Sequence, residues 1–162
     1  MSFTLRPATL ADAATITALV HAAWKDDIDP RSSGHRLTVE GASETLISGG
    51  GFIAERDGKA LGCVCYWNEF PTLTLMKLAV RPDARGQGLA AALVRAVEAQ
   101  AEAGGFARIL LAVSLYNLSV IPFYERLGYR LDDTAPYGHS SASSPAPRVM
   151  TKAVRAPHEE VI

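Results

Sequence analysis

Cysteine is nearly absent from the sequence, with Cys63 and Cys65 the only two. They stand two apart in a segment that reads as a strand, so both side chains point to one face and are poorly placed to bond each other. That spacing excludes a disulfide scaffold and predicts two reduced core residues. The four histidines, His21, His35, His139 and His158, are scattered without ligand spacing, so no metal site is expected. Long apolar runs are missing too. None approaches the ~18 residues of a membrane span, and the first seven residues carry no leader-like stretch. A soluble cytoplasmic protein with no membrane partner is the expectation. Nor does charge of one sign dominate: sixteen Lys and Arg stand against seventeen Asp and Glu, a net charge of −1. No global field therefore draws the chain to nucleic acid or to anionic lipid.

What is present suits one folded domain. The 162 residues are 48% hydrophobic and 20% charged, too apolar for disorder and long enough to bury about two thirds of the unfolded surface. Residues 1–154 read as a single domain and 155–162 as a tail. A strand over 3–6 stops at Pro7, and Thr9 with Asp12 makes a capping-box-like helix start. Ala13, Ile16, Leu19, Val20 and Ala23 recur at helical spacing, predicting a helix to about Trp24, with Trp24 in the core or at its rim. A second, weaker helix is expected over 37–48 and ends at Gly49-Gly50-Gly51. Strands over 52–55, 60–67 and 72–80 form an antiparallel meander turned at Asp57-Gly58. From Gly86 the pattern is helical to Gly104-Gly105, followed by a buried strand over 107–113. A short helix over 120–127, capped by Gly128, precedes strands over 129–131 and 148–154. The intervening 137–147, rich in Ser, Ala, Gly and Pro, reads as a mobile loop.

Arg85-Gly86-Gln87-Gly88-Leu89-Ala90 carries the clearest chemistry. It lies at the start of a helix, after a strand and the polar connector 81–85, where unpaired amides and the helix dipole favour an anion. Glycine at 86 and 88 lets a phosphate approach those amides, and Arg85 adds a fixed positive charge. A pyrophosphate cradle for a nucleotide cofactor follows. Taken alone, Gly86-x-Gly88-x-x-Ala91 also satisfies a dinucleotide fingerprint. Against a dinucleotide stand the long connector and the lack of an acidic residue in 107–114.

With these residues the chain resembles the GCN5-related N-acetyltransferase (GNAT) superfamily, whose motif Arg/Gln-x-x-Gly-x-Gly/Ala is matched at residues 85–90. A second family signature appears as Asn117 followed by Phe123-Tyr124-Glu125-Arg126-Leu127-Gly128-Tyr129, and Leu5-Arg6-Pro7-Ala8-Thr9 looks like the family's opening. The resemblance spans residues 3 to about 154. It implies an α/β fold, a mixed sheet flanked by helices that splays between the strands ending at Val80 and Val113, with acetyl-CoA in the gap. Leu78, Ala79 and Val80 would pair with the pantetheine arm through their main chain, and Leu78 N–H would polarise the thioester carbonyl. Asn117 would hold the pantetheine or phosphate side, or else serve as an ordinary cap. Tyr124 would be the general acid, its phenol still protonated at neutral pH.

The acceptor implied is a primary amine of a small molecule or a peptide, which must lose a proton before attack. Relatives often place a carboxylate base in the strand corresponding to 72–80, and this chain has none there. Glu69 is the nearest substitute, with His21 and His139 behind it. Asp26, Asp27 and Asp29 border the expected acceptor side, as an attraction for a cationic amine or as a solvated loop. The missing carboxylate also supports an alternative, a non-catalytic acyl-CoA-binding or interaction module. A homodimer is implied by the resemblance alone.

Overall fold

The computed structural model describes residues 2–25, 29, 31, 33–140 and 145–154. Among them, β1 (Thr4–Pro7), β2 (Gly49–Arg56), β3 (Lys59–Glu69), β4 (Thr72–Val80), β5 (Arg108–Val113), β6 (Arg130–Leu131) and β7 (Arg148–Ala153) form one mixed sheet. Its spatial order is β1-β2-β3-β4-β5-β7-β6. The helices are α1 (Ala13–Trp24), α2 (Val39–Ser48), α3 (Leu89–Ala103) and α4 (Ile121–Arg126).

The antiparallel run from β1 to β4 is the expected meander. Its β2–β3 turn has φ of 53° at Asp57 and 75° at Gly58, the left-handed pair that matches the twist of a two-residue hairpin. β4 and β5 are parallel and joined through α3, but they pair only at Thr72 with Arg108, Leu73 with Ile109 and Thr74 with Leu110. Beyond Thr74 the two strands separate. The α/β sheet is therefore splayed where the sequence led us to expect it.

A second irregularity lies in the same stretch of β4. Cys63 opposes Ala79 and Cys65 opposes Met76, so Val64 alone faces Lys77 and Leu78. This is a β-bulge, and it places Lys77 at a φ of 58°, a conformation that costs a non-glycine residue about 1 kcal/mol or more.

Alternation along the strands feeds two cores, one on each face. Leu89, Leu93, Val94 and Val97 of α3 pack with Val64, Leu73 and Leu75, joined by Tyr124 and Tyr129. On the other face Ile16, Leu19 and Val20 of α1 and Ala42 and Leu46 of α2 cover Ile53, Cys63 and Cys65. Both cysteines are free and buried.

Three expectations need correction. Gly49-Gly50-Gly51 opens β2 rather than merely ending α2, because a Cβ at Gly49 or Gly51 would collide with the Tyr66 or Val64 carbonyl of β3. α3 starts at Leu89, not Gly86, since Gly86 and Gly88 sit at φ of 79° and 81°, outside the helical region. The segment expected to be a mobile loop is packed in its first part: the Tyr137 and His139 rings meet at a tilt with centroids 5.5 Å apart, and His139 lies 4.9 Å from the Trp67 ring. Residues 141–144, Asp26, Asp27 and the tail 155–162 lie outside the described residues.

The entry to α1 is held by charge. Asp12 accepts from Thr9 N–H at 2.7 Å, as the capping motif predicts, and from both Arg6 terminal nitrogens at 2.8 and 2.9 Å. The Arg6 hydrogen bonds, helped by Thr9 and opposed by burial, lower the Asp12 pKa to about 2. A depressed carboxylate stabilises the fold above its unfolded value and loses that contribution as pH falls through the folded one. Because Arg6 is 39% exposed, screening limits the effect to about 1 kcal/mol. Asp12→Asn is expected to be less stable than wild type by that amount at pH 7, with the gap closing between pH 4 and 2. Denaturant titrations across that range check it.

Candidate active site

The separation of β4 from β5 opens a cleft of about 410 Å³. One wall is the end of β4, the other the end of β5 with the turn into α4, and the first turn of α3 closes one end. Of the residues expected to bind cofactor, Leu78, Ala79, Val80, Arg85, Ala90 and Asn117 line it, as does Tyr124. Because β5 pairs no farther than Thr74, the rest of β4 has no strand partner on the cleft side, while on its other edge the β3 ladder is interrupted at Lys77–Leu78 and resumes at Ala79.

Gly86, Gln87, Gly88 and Leu89 contribute backbone rather than side chains. A Cβ added at Gly86 or Gly88 meets nothing within 4 Å, so the glycines answer to conformation and leave the approach to the amides open. Gln87 turns its side chain away, its Oε1 accepting from Arg56 at 2.6 Å. Leu89 is 1% exposed and belongs to the core. The first intrahelical bond is Ala92 N–H to Gly88 O at 3.1 Å; the amides of Leu89, Ala90 and Ala91 donate to no protein carbonyl among the described residues. Amides unsatisfied at a helix start, with Arg85 beside them, fit a pyrophosphate. Arg85 itself donates to Ala23 O at the end of α1 at 2.6 Å, which fixes the guanidinium on the cleft wall.

Asn117 precedes a helical turn, yet its side chain makes no capping hydrogen bond, and it lines the cleft wall. Tyr124 is 8% exposed, edge-on to the rings of Phe123 and Tyr129. Burial pushes its phenol well above the usual value. Tyr129 anchors this helix to α3 through Glu98, which also receives Lys152.

A second cleft, of about 420 Å³, abuts the first and shares Trp24 and Ala112 with it. Trp67, Lys77, Tyr137 and His139 line it. Glu69 lines neither cleft. Its Oε1 accepts from Thr74 at 2.7 Å and pairs with His139 Nε2 at 2.9 Å. Burial alone would raise the Glu69 pKa, but the hydrogen bonds from His139 and Thr74 outweigh it and hold the carboxyl below its ordinary range. The structure thus brings Glu69 and His139 together and sets His139 toward the second cleft. His21 is apart, bonded to Leu37 O at 2.8 Å. Asp29 is paired with Arg31 at 2.7 Å, which offsets its charge. Trp24 packs at the rim of the α1–α2 core, as expected, and also lines both clefts, whereas Lys77, which lines the second, was not singled out from the sequence. A lysine inside an apolar strand was the one available signal.

Residues 16–129 match the model of the acetyltransferase (GNAT) family. The IAA acetyltransferase of Azospirillum brasilense is 27% identical over 114 residues, covering 69% of this chain and 72% of that protein. The mycothiol acetyltransferase of Streptomyces avermitilis is 35% identical over 89 residues, covering 52% of this chain but only 28% of that protein. Among solved structures, the PaiA N-acetyltransferase of Thermoplasma acidophilum in complex with coenzyme A superposes with a TM-score of 0.76 at 16% identity, covering 94% of this chain and 99% of that one. That likeness is one of fold.

Gly88→Ala tests the cradle. The fold has room for the methyl group, but φ near 81° is strained for alanine, so relaxation would turn the amides aside. Calorimetry with coenzyme A is expected to show affinity weakened about tenfold, with stability changed by no more than about 2 kcal/mol.

Proposed function

The chain belongs to the GNAT family and is an acetyl-CoA-dependent acetyltransferase; from that premise we propose that it acetylates a primary amine of a small molecule or peptide by direct attack. The observation that carries this reading is the junction of the two clefts at Trp24 and Ala112, next to the unpaired end of β4. Bound acetyl-CoA would supply an acetyl group already activated as a thioester.

The rest is work for this chain's own groups. Leu89–Ala91 N–H and Arg85 hold the pyrophosphate side, and Leu78, Ala79 and Val80 offer main-chain groups to the pantetheine amides. Leu78 N–H, in the bulge, is the donor for the carbonyl oxygen that gains charge during attack, an arrangement worth several kcal/mol in a dry site. Tyr124 Oη keeps its proton, as its burial favours, and delivers it to the departing sulfur. His139 takes the proton from the amine, directly or through a water, and Glu69 orients the imidazole through Nε2. Glu69 is then a positioning residue rather than the base itself. No helix among the described residues is long and apolar enough to cross a membrane. The buried reduced cysteines suit the cytoplasm, which we propose as the compartment, and the homodimer implied by the resemblance is part of the same reading.

The test is release of free thiol from acetyl-CoA across a panel of amines, amino acids, polyamines and peptides. Acceptor-dependent release is expected, and binding of coenzyme A without it would favour the non-catalytic module. With an acceptor in hand, Tyr124→Phe is expected to lower kcat at least ~10²-fold while coenzyme A affinity survives. His139→Ala is expected to cost more kcat than Glu69→Gln, about 10²-fold against about 10-fold. The reverse order would return the base role to Glu69.

A further inference from the structure

Lys77 is unusual on three counts. It is the one residue of β4 held in a left-handed conformation, at a φ of 58°. It is half-buried, and its Nζ donates to Thr45 Oγ1 at 2.9 Å and lies 3.5 Å from Met76 Sδ. Among the described residues no carboxylate comes within 4 Å of it. An ammonium taken partly out of water and given a hydroxyl and a thioether is under-compensated, because two of its three donors lack a strong acceptor. Burial lowers its pKa accordingly, against the pull of Cys65, Cys63 and Glu44. Strain and incomplete pairing at one residue, next to the reacting end of β4, point to a ligand contact.

The surroundings say what that ligand carries. Lys77 lines the second cleft together with Arg36, so two cations share the wall with Glu44, the one carboxylate on it among the described residues; Arg36 and Glu44 are both exposed and Lys77 is the half-buried charge of the three. His139 also faces this cleft, with its nearest carboxylate, Glu69, behind it. A plain ammonium entering here meets like charge, whereas a zwitterion brings its own anion. Trp24, Trp67 and Tyr137 supply apolar wall. We propose that the acceptor is an amine bearing a carboxylate a few bonds from its nitrogen and an apolar or aromatic body, an amino acid in the simplest case, with the carboxylate bound at Lys77. In that pose the anion takes the free donors of Nζ while the amine reaches the neighbouring Leu78, where the two clefts meet. This inference rests on the acetyl-transfer reading and narrows its acceptor.

Matched pairs test it: phenylalanine against phenethylamine and tryptophan against tryptamine, with wild type and Lys77→Met, in which the methionine keeps most of the stem's volume. The expected result is a preference of tenfold or more in kcat/KM for the carboxylated member, carried by KM, that falls to near one in K77M. Equal use of both members by wild type would overturn it, as would a K77M loss that is the same for both, which would mark Lys77 as a proton-handling or structural group. A second readout is independent of turnover. The protein has two tryptophans, and both line this cleft, so their fluorescence reports its occupancy with coenzyme A already bound. Phenylalanine that shifts the emission in wild type and not in K77M supports the anion site even if no amine is acetylated, a result that would defeat the acetyl-transfer reading alone. No phenylalanine-dependent shift in wild type would overturn the anion site.

Discussion

After Thr74 the backbone of β4 has no parallel partner, and the site depends on that one loss of pairing. Main-chain groups facing a cleft between two strands are costly to leave unsatisfied, by about 1–3 kcal/mol each once water is excluded. A ligand with its own spaced amides can take the place of the missing strand, which is how a sheet edge becomes a binding surface. On the opposite edge of β4, three residues farther along, the bulge at Lys77–Leu78 interrupts the β3 ladder as well. The flanking elements then fall into place around the gap: α3 presents its first turn, α4 presents Tyr124, and the end of α1 is tied to the cradle through Arg85 and Ala23 O.

Charge is divided between the two clefts in a way that suits two different ligands. At the cofactor end the positive groups are mostly backbone, at the start of α3, with Arg85 beside them. At the acceptor end they are the side chains of Lys77 and Arg36 among aromatic walls. The one carboxylate set back from this region, Glu69, is coupled to it through His139. In the proposed reaction a proton leaving an amine in the second cleft would have a route outward, away from the side on which Tyr124 is proposed to hold its proton.

How much of this was legible in the residues depended on whether a signal was local. The candidate cradle could be located, because Arg85, Gly86 and Gly88 stand within a few positions of each other just ahead of a helix, and both glycines do sit at positive φ before α3. The meander and the splay were likewise readable from strand patterns and the family resemblance. Gly49-Gly50-Gly51 does end α2, as the sequence suggested, but that they also open β2 was not readable, because their need there is set by the carbonyls of Tyr66 and Val64 on another strand. Glu69 stood out as an acid near the right strand, but its coupling to His139, seventy positions away in sequence, required the loop after β6 to fold back. Lys77 carried no periodic signal at all, since a bulge is decided by register between strands and not by the residue that occupies it.

On the reading proposed here, the gap between β4 and β5 receives coenzyme A through backbone amides. Amide hydrogen exchange with and without coenzyme A reads those groups directly. Slowed exchange is expected at Leu78–Val80 and at Gly86–Ala91, with no comparable change on adding NAD. Exchange unchanged at both segments under saturating coenzyme A, or protection confined to another face of the sheet, would contradict it.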